Sequence, residues 1–509
     1  MSLRNTEIDS GAIRGVACGI PNFTVYKGIP FAANTGGSNR FMPPQPVAPW
    51  SGEYLCSEFK PISMQAPKVL GTKFSNFFKK EFYPFDYPMS EDNLFLNVWT
   101  PAEHQDENLP VMVWIHGGGL GSGYSYEMEF DGEAICKRGC ILVTISYRLD
   151  GFGFFAHPEL TQRSSKGVSG NNGFLDQVAA LEWVSRNISA FGGNPDNVTI
   201  FGQSAGGASV LAHLVSPLSE GLFHRAIIQS GTFGIATRLF FDSLEQAEKW
   251  GVDFCRSIGK SLDEVLAMPA ADLQIAFEQA SENGVGRRPA FVTDNYAFPD
   301  GCGEAILAGK IKNVSIMSGS VRGDSALMAM IGGAPADPVT MATRQRIGAK
   351  ADELISKYPP QEPENADLYE AVNNTAAYYG DLIIGSVQQK DGKIPAHVYY
   401  FDSFIPDHDV SEFVEDGVPY HSSELWYIFG TLARCWRKFD GRHYDLSSAM
   451  TDYWTNFARQ GDPNGEGLPE WHRFEGSEPR AMVFKETGIV EQCLVDESVS
   501  KLISYTIKN

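Results

Sequence analysis

One serine stands among small residues where the chain is expected to turn sharply. Ser204 is the centre of Gly202-Gln203-Ser204-Ala205-Gly206, directly after the β-branched run "NVTIF" and before the helix-forming stretch "AGGASVLAHLVS". Glycines on both sides allow a strand to turn abruptly into a helix, which holds the hydroxyl exposed at the helix N-terminus. A serine held in this way can attack a carbonyl carbon. The motif alone also fits a glycine-rich helix entrance with a capping serine, so it needs support elsewhere.

A second glycine-rich motif supplies what attack by a serine requires. The sequence "HGGG" occupies positions 116–119, at the end of the apolar run "VMVWI". Attack on an ester carbonyl creates an oxyanion, and glycines let backbone N–H groups approach it with no Cβ in the way. Gly118, Gly119 and Ala205 are therefore the predicted donors of an oxyanion hole.

A serine nucleophile also needs a histidine base that is oriented by an acid. In proteins with this serine motif the chain order is serine, acid, histidine. Five histidines lie far enough downstream, at positions 397, 408, 421, 443 and 472. His397 falls in a predicted strand and is expected to pack in the core, whereas His443 and His472 lie in charged stretches typical of a surface. His408 and His421 both follow that strand in a predicted loop, and spacing alone does not separate them.

The elements that must position these residues alternate between strands and helices. Short runs rich in β-branched and aromatic residues are typical of buried parallel strands; they occupy 111–116, 140–147, 197–202, 225–231, 313–319 and 397–402. Between them, the stretch "NGFLDQVAALEWVSRNISAFGG" (172–193) has apolar residues at helical spacing and ends in two glycines that would stop a helix. This order predicts a wound α/β sheet with right-handed crossovers. The first hundred residues are expected to form antiparallel hairpins that lead into the sheet.

The order of the motifs favours one elaborated domain over residues 1–509. Two stretches, about 236–310 and 325–393, have more helical periodicity and more charge than their surroundings. They are predicted to be helical insertions that cover the sheet, since lids and binding loops are built on such connections.

The charge of the chain argues against several kinds of partner. Its 41 Lys and Arg against 62 Asp and Glu give a formal net charge of −21, which repels nucleic acid and anionic lipid surfaces. Charged residues near the start of the chain interrupt any export signal, and no stretch is apolar enough for a membrane span. We therefore expect a soluble cytoplasmic protein that binds neither nucleic acid nor membranes.

Several longer motifs resemble those of one enzyme family. They are "SEDNLFLNVW" (90–99), "HGGG" (116–119), "GNNGFLDQVAALEWV" (170–184), "FGGNPDNVTIFGQSAGG" (191–207), "GLFHRAIIQSG" (221–231) and "DYWTNFARQGDPNG" (452–465). Over nearly its whole length the chain resembles the type-B carboxylesterases, which include the cholinesterases. The resemblance implies an α/β-hydrolase fold with a mostly parallel central sheet flanked by helices. It also implies a catalytic triad, an acyl-enzyme intermediate and no metal or cofactor.

The resemblance implies a role for individual residues. Ser204 matches the family's nucleophile, and "GVPYHSSEL" (417–425) resembles the pattern around the base, which favours His421 over His408. Most members carry a glutamate as the acid in a turn after a strand, and here "GSVRGDS" (319–325) places Asp324 at that position. Glu304 is the alternative acid. Ser230 is a candidate hydrogen-bond partner of the triad.

Departures from the family pattern concern the substrate. The positions where cholinesterases carry aromatic residues for a cation–π site are Tyr83, Leu327 and Met328 here, which disfavours a choline ester. Gln203 stands where many members have a glutamate. The residues expected to line the substrate site are Leu120, Gln203, Tyr83, Leu327 and Trp426.

The sequence thus predicts a serine carboxylesterase that acts on a small-molecule ester. An aryl-ester esterase of the feruloyl or cinnamoyl type, or an amidase with the same triad, is an alternative because aromatic residues follow the base. A non-catalytic binding protein of the same fold is a second alternative. Acyl-chain preference, alcohol preference and oligomeric state stay open.

Overall fold

A computed structural model describes most of the chain: residues 2–20, 22–67, 71, 73–232, 241–286, 289–324, 351–365, 378–406, 417–476 and 479–493. His408, Leu327 and Met328 lie outside the described residues. The described part of the chain forms two compact units. The first comprises the described residues within 1–224 and 240–300, and the second comprises the described residues within 225–239 and 301–509.

The strands are numbered β1 to β18 in chain order. They are Asn5–Ile8, Gly11–Arg14, Val16–Ala17, Thr24–Pro30, Glu53–Leu55, Ile62–Ser63, Met89–Ser90, Phe95–Thr100, Leu109–Ile115, Ile141–Ile145, Gly193–Gln203, Arg225–Gln229, Phe241–Ser243, Phe291–Thr293, Ser315–Val321, His397–Phe401, Arg480–Lys485 and Gly488–Cys493. The described α-helices are numbered α1 to α14. They are Lys73–Glu81, Glu133–Cys136, Asp150–Phe154, Pro158–Arg163, Asn172–Asn187, Ala205–Val215, Leu244–Ser257, Leu262–Ala267, Ala270–Ala280, Cys302–Leu307, Ala351–Lys357, Tyr379–Lys390, Leu425–Ile428 and Gly441–Gln460.

In the first unit, six strands pair side by side in the order β11-β9-β10-β8-β4-β3. Strand β9 pairs in parallel with both β10 and β11, so Val111 lies opposite Ile141 on one side and Val198 on the other. Pairing becomes antiparallel from β10 to β8 and from β8 to β4. The predicted parallel strands are confirmed, and apolar runs of this kind are typical of strands buried between helices. The antiparallel entry is confirmed for β1 with β2 and for β3, β4 and β8, whereas β5 pairs in parallel with β2 and β7 pairs in parallel with β6.

In the second unit, five strands pair in the order β18-β17-β16-β15-β12. The first four of these in the chain, β12, β15, β16 and β17, are parallel, while β18 returns antiparallel to β17. The predicted strands at 225–231, 313–319 and 397–402 are confirmed. The closing hairpin was not predicted, although its two strands are joined by only Glu486 and Thr487.

The described parts of the two proposed insertions are largely helical. In 241–286 and 289–310 lie α7 to α10, and in the second stretch lie α11 and α12. Helices α7 and α8 each begin with a capping box, in which Ser243 and Ser261 exchange hydrogen bonds with the residue three positions later. Their apolar side chains share a buried cluster with Phe155 and Leu160 of the first unit. The assignment of 1–509 to one domain stays a prediction.

Among the helices within the described ranges, none combines the length and the apolar character needed to cross a lipid bilayer.

Candidate active site

Ser204 lies at the turn between β11, which ends at Gln203, and α6, which begins at Ala205. Its backbone has φ of 58° and ψ of −122°, a conformation that non-glycine residues rarely adopt. A Cβ on Gly206 would lie 2.0 Å from the carbonyl oxygen of Ile115, so no larger residue fits there. The turn therefore stores strain and presents a partly exposed serine at a helix N-terminus, as the motif predicts.

The "HGGG" loop lies directly against this serine turn. A Cβ on Gly117 would be 2.7 Å from the carbonyl oxygen of Gln203 and 3.3 Å from the Cβ of Ser204. Gly118, Gly119 and Leu120 follow with φ of 98°, 67° and 60°. Three successive residues with positive φ form a tight turn, a conformation that Gly118 and Gly119 adopt without a steric penalty. The structure thus brings the predicted oxyanion loop and the predicted nucleophile together within the first unit.

A buried glutamine holds the far end of this loop. The side chain of Gln65 donates from Nε2 to the carbonyl of Gly123 and accepts at Oε1 from the N–H of Gly123, both at 3.0 Å. The N–H of Asp150 also donates to the carbonyl of Leu120 at 2.8 Å. Sequence reasoning missed Gln65, because nothing in its local pattern indicates a contact with a segment 58 residues away.

We expect Gln65→Leu to lower kcat by about 10- to 100-fold, an effect no larger than that of removing one oxyanion donor. The substitution leaves both backbone groups of Gly123 without their partner, so the loop that carries the N–H groups of Gly118 and Gly119 loses its anchor. Hydrolysis of a p-nitrophenyl ester at saturating substrate measures this effect. Gln45→Leu is the matched control, because Gln45 is exposed and its side chain donates only to a nearby carbonyl. Equal kcat in the two variants would contradict this role of Gln65.

Asp324 and His421 form a buried pair in the second unit. Oδ1 of Asp324 is 2.6 Å from Nδ1 of His421, and both side chains are 6% exposed. The other carboxylate oxygen accepts from the N–H of Val321 at 2.9 Å. An imidazole bound to a carboxylate through Nδ1–H keeps Nε2 as its basic nitrogen. Ser204 belongs to the first unit, and this acid–base pair belongs to the second.

Glu304, the alternative acid, lies in α10 and is exposed. The residue that the structure places against His421 is Asp324. Ser230 lies directly after β12 with φ of 45°, and its N–H donates to the carbonyl of Gly319 at 2.7 Å. Its buried hydroxyl has no hydrogen-bond partner among the described residues.

The remaining downstream histidines differ in burial. His397 lies in β16, 1% exposed, against the ring of Trp471, which confirms that it packs in the core. The side chain of His472 is 62% exposed, as expected. The expectation of a surface position for His443 was wrong. It is 3% exposed because it lies on the inner face of α14, where its Nδ1 is 2.9 Å from the hydroxyl of Tyr427.

Two further carboxyls that sequence reasoning missed are buried in the second unit. Glu424 accepts from Nε2 of Gln229 at 3.4 Å, and burial together with the negative charge of Asp324 raises the pKa of Glu424 to about 8. Asp381 accepts from the hydroxyls of Ser318 and Ser320, and burial raises its pKa to about 7. At neutral pH Glu424 therefore keeps its proton. The spacing of Glu424, three residues after His421, was the only signal that could have indicated it.

Glu424→Gln is expected to make the stability of the protein less sensitive to pH. The folded chain keeps the Glu424 proton up to about pH 8, whereas the unfolded chain loses it near the ordinary pKa of 4.5. Stability contributed by the protonated group is thus complete below about pH 4.5 and is lost as the pH rises to about 8. The wild type should lose up to about 1.4 kcal/mol of unfolding free energy per pH unit relative to the variant. Urea unfolding at pH 5 and pH 8 measures the difference, and parallel changes in both proteins would show that Glu424 ionises in the folded state.

The residues predicted to line the substrate site are mostly buried. Leu120 and Trp426 are fully buried, Gln203 is 2% exposed and Tyr83 is 8% exposed, with its ring 5.9 Å from that of Tyr124. Leu327 lies outside the described residues. Their contact with a substrate stays a prediction. Within the described ranges, no three His, Cys, Asp or Glu side chains are grouped so that they could hold a metal ion.

Comparison with known proteins identifies the family. The model of the carboxylesterase family matches residues 3–500. The chain belongs to the carboxylesterase family. A medium-chain fatty acyl-CoA hydrolase precursor from Anas platyrhynchos is 31% identical to it, with 92% of this chain and 86% of the relative covered. An acylcarnitine hydrolase from Mus musculus is 33% identical, with 88% and 80% covered.

A solved structure shows the same fold. The carboxylesterase from Geobacillus stearothermophilus, solved at pH 6.8, superposes with a TM-score of 0.74 at 31% identity and covers 96% of this chain and 97% of that one. The α/β-hydrolase fold and the resemblance to type-B carboxylesterases are therefore confirmed. This chain is therefore a carboxylic ester hydrolase. The alternative of a non-catalytic binding protein is set aside.

Proposed function

We propose that this carboxylesterase hydrolyses small-molecule carboxylic esters with Ser204 as nucleophile, His421 as general base and Asp324 as the acid that orients it. The observation that carries the assignment is the 2.6 Å contact between Nδ1 of His421 and Oδ1 of Asp324. The strained turn at Ser204 and the glycine loop beside it support the same reading. The relatives named as a fatty acyl-CoA hydrolase and an acylcarnitine hydrolase support an acyl group as the part of the substrate that is transferred to the enzyme.

The first half of the reaction forms an acyl-enzyme. His421 accepts the proton of the Ser204 hydroxyl at Nε2 while Oγ attacks the ester carbonyl, and Asp324 stabilises the imidazolium that results. The carbonyl oxygen becomes an oxyanion that accepts from the N–H groups of Gly118, Gly119 and Ala205. When the tetrahedral intermediate collapses, the bond to the alcohol breaks and His421 returns its proton to the departing oxygen.

The second half restores the enzyme. His421 accepts a proton from water, the hydroxide attacks the acyl carbon, and the bond to Oγ of Ser204 breaks as the oxygen regains its proton. The carboxylic acid then leaves. Asp324, whose Oδ1 is 2.6 Å from Nδ1 of His421, is the carboxylate that faces the imidazolium in both halves of the reaction.

Pre-steady-state kinetics test the acyl-enzyme. Under conditions in which deacylation is slower than acylation, mixing the enzyme with p-nitrophenyl butyrate is expected to release a burst of p-nitrophenolate equal to the enzyme concentration, followed by slower steady turnover. The alcohol leaves before the acyl group, so the first turnover is faster than the later ones. The burst amplitude should stay proportional to enzyme concentration across a dilution series. Single-phase release under conditions where deacylation is made rate-limiting would contradict the covalent mechanism.

A further inference from the structure

The turn that carries Asp324 is tied to the loop that carries His421 by its backbone. After β15 ends at Val321, the N–H of Arg322 donates to the carbonyl of Phe401, and the N–H of Gly323 donates to the carbonyl of Pro419, each at 3.0 Å. Pro419 lies two residues before His421, and Gly323 lies one residue before Asp324. The hydrogen bond from Gly323 therefore fixes the separation of the two backbones next to the acid–base pair.

Gly323 is the residue that permits this close approach. A Cβ built on it would lie 2.2 Å from the carbonyl oxygen of Pro419, 3.2 Å from its carbonyl carbon and 3.3 Å from the Cα of Tyr420. These neighbours are backbone atoms, which cannot rotate aside as a flexible side chain can. Any side chain at position 323 must therefore push the acid turn away from the base loop.

The side chain of Asp324 is too short and too constrained to follow such a movement. It has a single methylene group, and both of its oxygens are already engaged, one with His421 at 2.6 Å and the other with the N–H of Val321 at 2.9 Å. A carboxylate held at both oxygens reaches the imidazole only at the present backbone separation. A longer glutamate would need the two backbones further apart.

We infer that Gly323 is a positioning residue for the acid: glycine at 323 and aspartate at 324 form a matched pair, and a larger residue at 323 demands glutamate at 324. This inference rests on the proposed function. It goes beyond that function because it makes the two positions interdependent in catalysis, whereas a merely structural glycine would affect stability independently of the length of the acid.

The experiment is a double-mutant cycle with Gly323→Ala, Asp324→Glu and both together. Each single variant is expected to lower kcat about 10²-fold, the cost of a displacement of roughly 1 Å in a catalytic group, with KM little changed. The double variant is expected to recover to within about tenfold of the wild type and to exceed both single variants. The low-field proton resonance of Nδ1–H in His421, observed by NMR, should weaken in each single variant and return in the double.

Several outcomes would overturn the inference. One is a double variant in which the two losses multiply, and another is Gly323→Ala with the kcat of the wild type. Should Gly323→Ala not fold, Asp324→Glu alone decides, because wild-type kcat in that variant would show that the acid has slack. The matched control is Gly251→Ala, where a Cβ would lie 1.9 Å from the carbonyl oxygen of Ala156, outside the candidate site. It should lower stability and leave kcat unchanged.

Failure of the proposed function would give a different result from failure of this inference, because Ser204→Ala and His421→Ala would then keep activity as well. If those two variants lose activity while the cycle shows simple multiplication, the triad stands and the pairing of residues 323 and 324 does not.

Discussion

Ser204→Ala is expected to lower kcat by about 10⁵- to 10⁶-fold, the cost of removing the nucleophile from a serine triad. Alanine keeps the Cβ, so the strained turn at φ of 58° and the clash-free contacts of Gly206 are unchanged. What disappears is the oxygen that carries the acyl group. Steady-state hydrolysis of p-nitrophenyl butyrate measures the loss, and thermal unfolding checks that the fold is retained.

The matched control for this variant is Ser243→Ala. Ser243 caps the N-terminus of α7 through its side chain, outside the candidate site. Its replacement should cost about 1 kcal/mol of stability and leave kcat unchanged. The oxyanion hole and substrate binding alone should leave far less than about a hundredth of wild-type activity. If Ser204→Ala kept more than this fraction, another nucleophile would therefore be required.

His421→Ala is expected to cause a loss of similar size, about 10⁵- to 10⁶-fold in kcat. The reason is chemical: without Nε2 as proton acceptor, the Ser204 hydroxyl is a poor nucleophile at neutral pH. Because the two residues act in one step, Ser204→Ala combined with His421→Ala should lose little more than either variant alone. The kcat values of the three variants check this non-additivity, with the enzyme concentration taken from protein mass.

Two other histidines serve as controls for that prediction. His408→Ala is expected to keep activity, since the resemblance assigns the base to His421. His443→Ala removes a buried ring bonded to Tyr427 and should lower stability, with a much smaller effect on kcat. A loss in His408→Ala as large as that in His421→Ala would reopen the assignment of the base.

The elements of the fold could be predicted where their signal is local. Strand β9 and residues 198–203 of β11 are buried on both faces, and β-branched runs of this kind have few alternatives to burial between helices. The hairpin of β17 and β18 was missed because its outer strand alternates between exposed and half-buried residues and carries a weak apolar signal. His443 was misplaced for a related reason. The charged neighbours of His443 in the sequence lie on the outer face of α14. His443 itself lies on the inner face, and it is this position around the helix that determines its burial.

The candidate site also contains some residues that local sequence predicts and others that it does not. The Ser204 turn and the "HGGG" loop are predictable because steric limits on glycine act over a few residues. The base could not be chosen from spacing, since His408 and His421 both follow one strand, and only the family resemblance separated them. Gln65, Gly323 and Glu424 escaped prediction because each acts through a contact with residues that are distant in the chain or part of another segment.

Mapping the residue that a covalent inhibitor modifies would identify the nucleophile of this carboxylesterase. The enzyme would be treated with a fluorophosphonate, digested and sequenced by mass spectrometry. We expect one phosphonyl group per chain on the peptide that contains Ser204, no label in Ser204→Ala, and strongly slowed labelling in His421→Ala. A phosphonyl group on any other residue, formed at the rate at which activity is lost, would contradict it.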